Sequence, residues 1–405
     1  MSKASYASLR GLTESGRLEL IHLVAPPRSS STALERALSN SPDVVMQIND
    51  PWSLYDENRE PQTYQYILDR AQTVLPAVTD ETARIVIKDI ADYIPPGEPW
   101  DRMTDLVKHT IFLVREPLLA LESMMQIMAK EVPVETGESY AHSAGYSSWL
   151  TMQDGVNAKR DYRPYEALYK DLFRNEQPIH DLPEMQIPVL IATPLRFIRR
   201  LGYDSHDMYA AAKGFGSWDM LCGTLRGGTV PPAEICDDLI EENFACRITG
   251  WTAMRQHFKS MPENASCDVV DSTMFRALPV SFLPDVFDRA QLRFSSDVVD
   301  WKSGSKTFNP DYDGEVPYYD KVIQSAGIAP PTETPIPVEN FPRFIQESLA
   351  GEDGAFDIYQ HFLEHIISRL STERRQELLT VTVAGKPLQK VDPVFYDLIN
   401  KKGLK

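Results

Sequence analysis

Arg28 followed by four hydroxyl residues, Ser29, Ser30, Ser31 and Thr32, is the densest run of anion-binding chemistry in the chain. It lies between a short apolar run that stops at Pro26-Pro27 and a stretch where Ala33, Leu34, Ala37 and Leu38 recur at helical spacing. The order reads as strand, tight loop and helix start. Unpaired N–H groups at a helix N-terminus, together with the helix dipole, favour a bound phosphate or sulfate. The hydroxyls add donors and Arg28 adds a fixed positive charge. A plain strand-to-helix turn requires neither. Asp50, Lys88 and Arg115 also fall at or just past the ends of apolar runs, so three further charged groups occupy comparable places.

For these residues to meet, the apolar runs must lie side by side. Strand candidates are Leu18–Ala25, Val44–Ile48, Arg84–Ile90 and Thr110–Arg115, and helix candidates are Ser31–Ser39, Gln62–Val74, Pro99–Val107 and Leu118–Ala129. Buried strands alternating with amphipathic helices predict an α/β fold, a central parallel sheet flanked by helices in three layers. Ligands of such sheets bind beyond the carboxyl ends of the strands, where Arg28, Asp50, Lys88 and Arg115 fall. Residues 1–134 form the first part of this core. Residues 135–265 are rich in Tyr, Trp, Met and Arg, with helical stretches at Arg163–Phe173 and Ala245–Phe258 and a loop around Gly223–Pro232. They read as a mostly helical insertion that caps the sheet. The strand pattern returns at Cys267–Asp271, with a helix near Leu278–Arg289, so residues 266–329 complete the core. Pro330, Pro331, Pro335 and Pro337 mark a linker into a C-terminal extension, 330–405. There the expected elements are helices at Phe341–Leu349 and Phe356–Leu370 and a hairpin pairing Leu378–Val383 with Pro387–Val391.

Composition narrows the partners. The chain has 405 residues, 58 acidic against 41 basic, for a net charge of −17. So acidic a protein is a poor partner for nucleic acid or an anionic membrane surface, though it can hold a small anion where basic groups are local. The cysteines, Cys222, Cys236, Cys246 and Cys267, form no Cys-x-x-Cys pair, and a zinc site is not expected. His361-x-x-Glu364-His365 has the spacing of inverted zinc proteases but lies in an ordinary amphipathic stretch near the C-terminus. No leader and no apolar run of spanning length is evident, and a reducing cytoplasm is the expectation.

A Walker P-loop requires Gly-x4-Gly-Lys-Ser/Thr, and this loop has neither its glycines nor its lysine. An ATP- or GTP-dependent phosphotransferase is therefore disfavoured, with Thr32 alone able to serve its magnesium. Pro27-Arg28-Ser29-Ser30-Ser31-Thr32 instead resembles the 5′-phosphosulfate loop of the sulfotransferase superfamily, Pro-(Arg/Lys)-Ser-Gly-(Thr/Ser)-Thr, with Ser30 at the usual glycine. A second stretch, from His109 through Arg115-Glu116-Pro117 to Ser123, resembles that family's 3′-phosphate site, a strand ending in Arg with Ser eight residues on. Pro117 can open a helix, and Ser123 then lies ~9 Å along it at 1.5 Å per residue. Taken alone, Arg115 reads more readily as a surface residue and Ser123 as a neutral helix residue; the first loop reverses that order. Arg84-Ile-Val-Ile-Lys88-Asp89 resembles a strand of bacterial and plant members. Val269-Val-Asp-Ser-Thr, Asp300-Trp301-Lys-Ser-Gly304-Ser-Lys306 and Tyr318-Tyr319…Ser325-Ala-Gly327 resemble the same subgroup's C-terminal half. The likeness covers roughly residues 18–130 and 265–328, leaving out the insertion and the tail.

The resemblance implies 3′-phosphoadenosine 5′-phosphosulfate (PAPS) as co-substrate, no metal, and in-line transfer of its sulfonyl group to a hydroxyl or amine of a small-molecule acceptor. Residues 1–134 would then be the nucleotide-binding half. Arg28 and Lys88 would stabilise charge on the leaving phosphate. Arg28, Ser29, Ser30, Ser31 and Thr32 would hold the 5′-phosphosulfate, and Arg115, Ser123 and Lys306 the adenosine and its 3′-phosphate. Many cytosolic members place a His two residues beyond the lysine of the third strand; here that residue is Ile90. Asp50 is the first choice for general base and Asp89 the second, while an Asx turn before Pro51 explains Asp50 equally well. A fold of this family that has lost catalysis is an alternative, and a homodimer is left open.

Overall fold

The computed structural model describes residues 2–54, 60–78, 82–94, 97–132, 134–168, 198, 202–226, 250–301, 324–350 and 354–403. Among these, no helix is long and apolar enough to cross a membrane. The chain divides into two compact units, one of residues 1–115, 253–333 and 360–405, the other of 116–252 and 334–359.

The first unit is built on a five-stranded sheet. Its elements in order are α1 (Ser2–Glu14), β1 (Leu18–Ala25), α2 (Ser31–Ser39), β2 (Val44–Asn49), α3 (Glu60–Val74), β3 (Ala83–Ile90), α4 (Glu98–Leu106), β4 (Val107–Val114) and, after the second unit's first segment, β5 (Cys267–Asp271). All neighbours pair in parallel, in the order β2-β3-β1-β4-β5. Helices cover both faces, the three-layer α/β/α arrangement. β1 and β3 are almost continuously buried, as strands covered on both faces must be. The chain leaves β1 toward β2 and β3, then crosses back to β4 and β5, so the strand order reverses at β1. In open α/β sheets ligands bind beside such a reversal, beyond the carboxyl ends of the strands.

The pleat sorts side chains by parity. Ile21, Leu23 and Ala25 of β1, Val86 of β3, Ile111 and Leu113 of β4 and Val270 of β5 pack against Leu34, Ala37 and Leu38 of α2 and against the helix Pro279–Arg289. Lys88 shares the parity of Val86 and so belongs to the α2 face. Trp301 joins this core, and the Arg36 guanidinium lies 4.7 Å from its ring centroid. On the opposite face Trp100 of α4 stacks on His257 at 4.3 Å, and Phe112 meets Phe258 edge-on at 5.3 Å.

The C-terminal extension differs from its sequence reading. The helix Ala355–Arg369 forms, and its Phe362 packs on Phe258 and near Phe112. The expected hairpin forms only as a short antiparallel pair, Thr382 opposite Pro387 and Val383 opposite Lys386. Residues Thr372–Thr380 are helical, capped by Ser371, only Thr382–Val383 and Lys386–Pro387 pair, and Leu388–Val391 turns into a short helix. Leu378, Val383, Leu388 and Val391 are all buried, so the alternation read as strand period is met by helix at Leu378, Leu388 and Val391 and by the short pairing at Val383.

In the second unit the helix α5 (Pro117–Glu131) opens with Pro117 at its first position, and the Glu116 carboxylate caps it by accepting from the Leu119 N–H at 2.8 Å. Arg160 anchors this unit: its Nε donates to Glu122 of α5 at 2.6 Å, and a terminal nitrogen donates to the Thr334 carbonyl at 2.7 Å. The loop read around Gly223–Pro232 begins as helix, since Trp218–Arg226 is helical. The helix read at Arg163–Phe173 starts as a 3-10 turn, Arg163–Tyr165, and residues 169–173 lie outside the described ones. The helix read at Ala245–Phe258 is described as Trp251–Lys259.

Candidate anion-binding site

The loop after β1 is shaped by two residues of unusual backbone. Arg28 takes φ 62° and Ser30 takes φ 70° with ψ 25°, the left-handed region that side chains other than glycine rarely enter. Position 30 therefore takes a conformation that glycine would enter freely, and serine adopts it at a cost of roughly 1 kcal/mol or more. Left-handed residues alternating with others form the backbone pattern of anion-binding nests. α2 begins directly afterwards at Ser31, adding its unpaired N–H groups. Ser29, between the two left-handed residues, is fully buried, and its hydroxyl has no hydrogen-bond partner among the described residues. A buried hydroxyl with nothing to bond is costly unless a ligand satisfies it.

Arg115 follows β4, the strand beside β1. One of its terminal nitrogens donates to the Arg28 carbonyl at 2.7 Å. Sequence separates the two by 87 positions; the sheet brings them together. A second guanidinium, which the sequence reading missed, lies in the same electrostatic neighbourhood. Arg276, on the helix Ser272–Ala277 after β5, donates to the carbonyls of Ala329 at 3.0 Å and Pro330 at 3.2 Å. Burial, then the positive charge of Arg115, push it down to about 10.

Lys88 and Asp50 form one unit at the ends of β3 and β2. The Lys88 ammonium lies 2.8 and 3.0 Å from the two Asp50 carboxylate oxygens and donates to the Asn49 side-chain carbonyl at 3.2 Å. Asp50 is itself left-handed, φ 46°, because its N–H donates to the Lys88 carbonyl at 2.6 Å while its carboxylate accepts from the Ile90 N–H at 3.2 Å. The two residues expected to provide the cation and the base thus face each other as an ion pair. An Asx turn at Asp50 would draw in the Trp52 N–H, which donates to Asp89 at 3.1 Å.

Asp89 sits on the other face of β3. Its carboxylate is wholly buried, 3.0 Å from His22 Nε2. Burial raises it above the usual carboxylate range while His22 works against that rise. Tying His22 of β1 to the backbone after Asp50, it is placed to brace the strand ends.

Beneath the loop, Glu35 is fully buried on α2, one turn on from Ser31. It receives a long contact, 3.4 Å, from the Asn49 amide, and its second oxygen has no partner among the described residues. Burial raises its carboxyl to about 8, with Lys88 opposing the rise and Asp50 and Asp89 adding to it. The signal that would have exposed Glu35 was its place beside Leu34 and Leu38 in an apolar stripe, four residues from Ser31.

Of the other expected site residues, Ser31 is buried and Thr32 half-buried at the start of α2. Ser123 lies on α5 in the second unit, half-buried, and Lys306 lies outside the described residues. Among the described residues no group of three or more His, Cys, Asp or Glu is placed to hold a metal ion.

These features define the class: an α/β protein with a parallel sheet whose central strand runs into a left-handed, hydroxyl-rich loop, with basic groups ranged along the same edge. Such an arrangement can hold an oxyanion through backbone N–H groups, hydroxyls and guanidinium forks. No family model, curated protein or solved structure matches the chain.

Proposed function

We propose that this protein is a sulfotransferase that moves a sulfonyl group from PAPS to a hydroxyl or amine of a small molecule in the cytoplasm. The observation that carries the reading is the loop after β1: left-handed at Arg28 and Ser30, with the buried Ser29 hydroxyl, just before α2, unpartnered among the described residues. Those groups suit a 5′-phosphosulfate. Arg115, which grips the Arg28 carbonyl, is assigned to the 3′-phosphate together with Ser123 and Lys306 on the sequence resemblance.

When bound, PAPS supplies an activated sulfonyl group, and transfer breaks its bond to the phosphate oxygen and forms one to the acceptor. Arg28 and Lys88 meet the negative charge that develops on that oxygen, Arg28 as a fork and Lys88 as a point charge. Asp50 accepts the proton that the acceptor loses. The ion pair couples these two tasks: an anion that draws Lys88 toward itself releases the Asp50 carboxylate to act as base. The acidic surface makes polyanionic glycans poor acceptors.

The same ion pair favours a second reading, in which Lys88 and Asp50 stay locked together and the protein binds the nucleotide without catalysing transfer. The experiment is a thermal unfolding series with 3′-phosphoadenosine 5′-phosphate, followed by incubation with labelled PAPS and a panel of phenols, alcohols and amines. A raised Tm and a labelled product support the transferase. A raised Tm with no product on any acceptor supports the second reading, and no shift at millimolar nucleotide overturns both.

A further inference from the structure

We propose that Glu35, acting through Asn49, is a positioning residue for Lys88, its buried carboxyl group deciding how the ammonium is shared between Asp50 and an incoming anion. The inference rests on the nucleotide-binding reading of the loop but is carried by a chain of contacts of its own. Glu35 accepts from the Asn49 amide nitrogen, the Asn49 carbonyl accepts from Lys88, and Lys88 pairs with Asp50. Every member is buried or nearly so, Lys88 and Asp50 side chains being 3% and 12% exposed.

The groups facing Glu35 come from each strand packed on that end of α2. β3 contributes Lys88 and, more remotely, Asp89, which His22 pairs from the far face; the end of β2 contributes Asn49 and Asp50. β1 offers only the apolar Leu23 and Ala25 on this face. Held as a neutral acid, Glu35 leaves one carboxylate and one ammonium in balance, and Lys88 can turn to an anion. Ionised, it sets a second carboxylate beside the same ammonium and adds negative charge under the anion loop. Burial places that change at about 8, so neutral pH keeps the site competent and alkaline pH closes it.

The test uses the full chain. In protein carrying ¹³C-glutamate, the infrared band of a protonated glutamic acid and the Lys88 ammonium ¹⁵N resonance are followed from pH 6 to pH 10, beside binding of 3′-phosphoadenosine 5′-phosphate by calorimetry. The expected result is a band that disappears through about pH 8 as the Lys88 resonance moves, with affinity falling about tenfold over the same interval. Glu35→Gln should lack both changes and keep the neutral-pH affinity at pH 9, whereas Glu35→Ala, which cannot accept from Asn49, should bind weakly at every pH. A Lys88 resonance that stays still while the band titrates overturns the proposal, as does an alkaline loss of affinity that persists in Glu35→Gln. Both infrared and Lys88 readings need only the wild-type chain. If the nucleotide binds at no pH while Lys88 follows Glu35, the nucleotide reading falls and the coupling stands.

Discussion

The Arg115 guanidinium donates to the backbone carbonyl of Arg28 at 2.7 Å, so the residue after β4 holds the loop after β1 in place. Arg28 is left-handed, and a carbonyl turned to an unusual direction is retained there only if something opposite accepts the geometry. Arg115 does so with one arm of its fork, leaving a planar cation beside the loop. A single side chain thereby links the shape of the loop after β1 to the charge beside it.

Arg115→Ala should lose both. One charge-assisted hydrogen bond contributes about 1.5–3 kcal/mol, so urea unfolding should show a loss of that order. Calorimetry with 3′-phosphoadenosine 5′-phosphate should show at least about tenfold weaker binding. Arg115→Lys keeps the charge but not the fork and should fall between the two. Affinity unchanged in Arg115→Ala removes this residue from the site.

Ser30→Gly should stabilise the protein. Glycine enters the φ 70° conformation without the clash that serine suffers, a relief of about 1–2 kcal/mol, partly offset by about 0.4–1 kcal/mol of extra unfolded-chain entropy. A net gain between about 0 and about 1.6 kcal/mol is expected in chemical denaturation, with nucleotide binding retained. Ser30→Val, β-branched, should destabilise instead.

Lys88 and Asp50 should be strongly non-additive. Lys88→Met leaves the Asp50 carboxylate buried without its cation, a loss on the order of 3–5 kcal/mol. Asp50→Asn removes the charge while an asparagine still tolerates φ 46° and accepts from the Ile90 N–H. The double variant should recover much of the loss in a double-mutant cycle, because neither charge is then stranded. Additive effects would mean the pair does not interact.

His257 predicts acid sensitivity. It is fully buried, donates from Nε2 to the Ala91 carbonyl at 3.0 Å and stacks on Trp100; burial pushes it down to about 4. An unfolded histidine protonates near pH 6.5, so below that pH the unfolded chain binds a proton the folded one refuses. Stability should therefore fall as pH drops from about 6.5 to about 4, by roughly 3 kcal/mol from this residue, and level off below. His257→Phe should start less stable at neutral pH, having lost a hydrogen bond, yet show a shallower acid decline in urea titrations. An unchanged slope would assign the decline to other groups.

The amino-acid order by itself determined the sheet and the place of the anion loop. Leu18–Ala25, Ser31–Ser39 and Cys267–Asp271 have the ends read from their periodicity, because strand and helix patterns are local and a buried parallel strand is an unbroken apolar run. Pro117 opened its helix for the same local reason. What only the tertiary structure decided is which charges confront one another. Lys88 and Asp50, read as separate catalytic groups, became an ion pair because β2 and β3 lie adjacent and in register, Asn49 opposite Lys88. Asp89, one residue on, turned to the other face and met His22. Glu35 and Arg276 carried no motif, since a buried charge is recognised by what surrounds it, and those surroundings come from distant strands. The tail hairpin shrank to two residues a side for the related reason that a short apolar alternation fits either a strand or a helix, and its outer parts packed as helix.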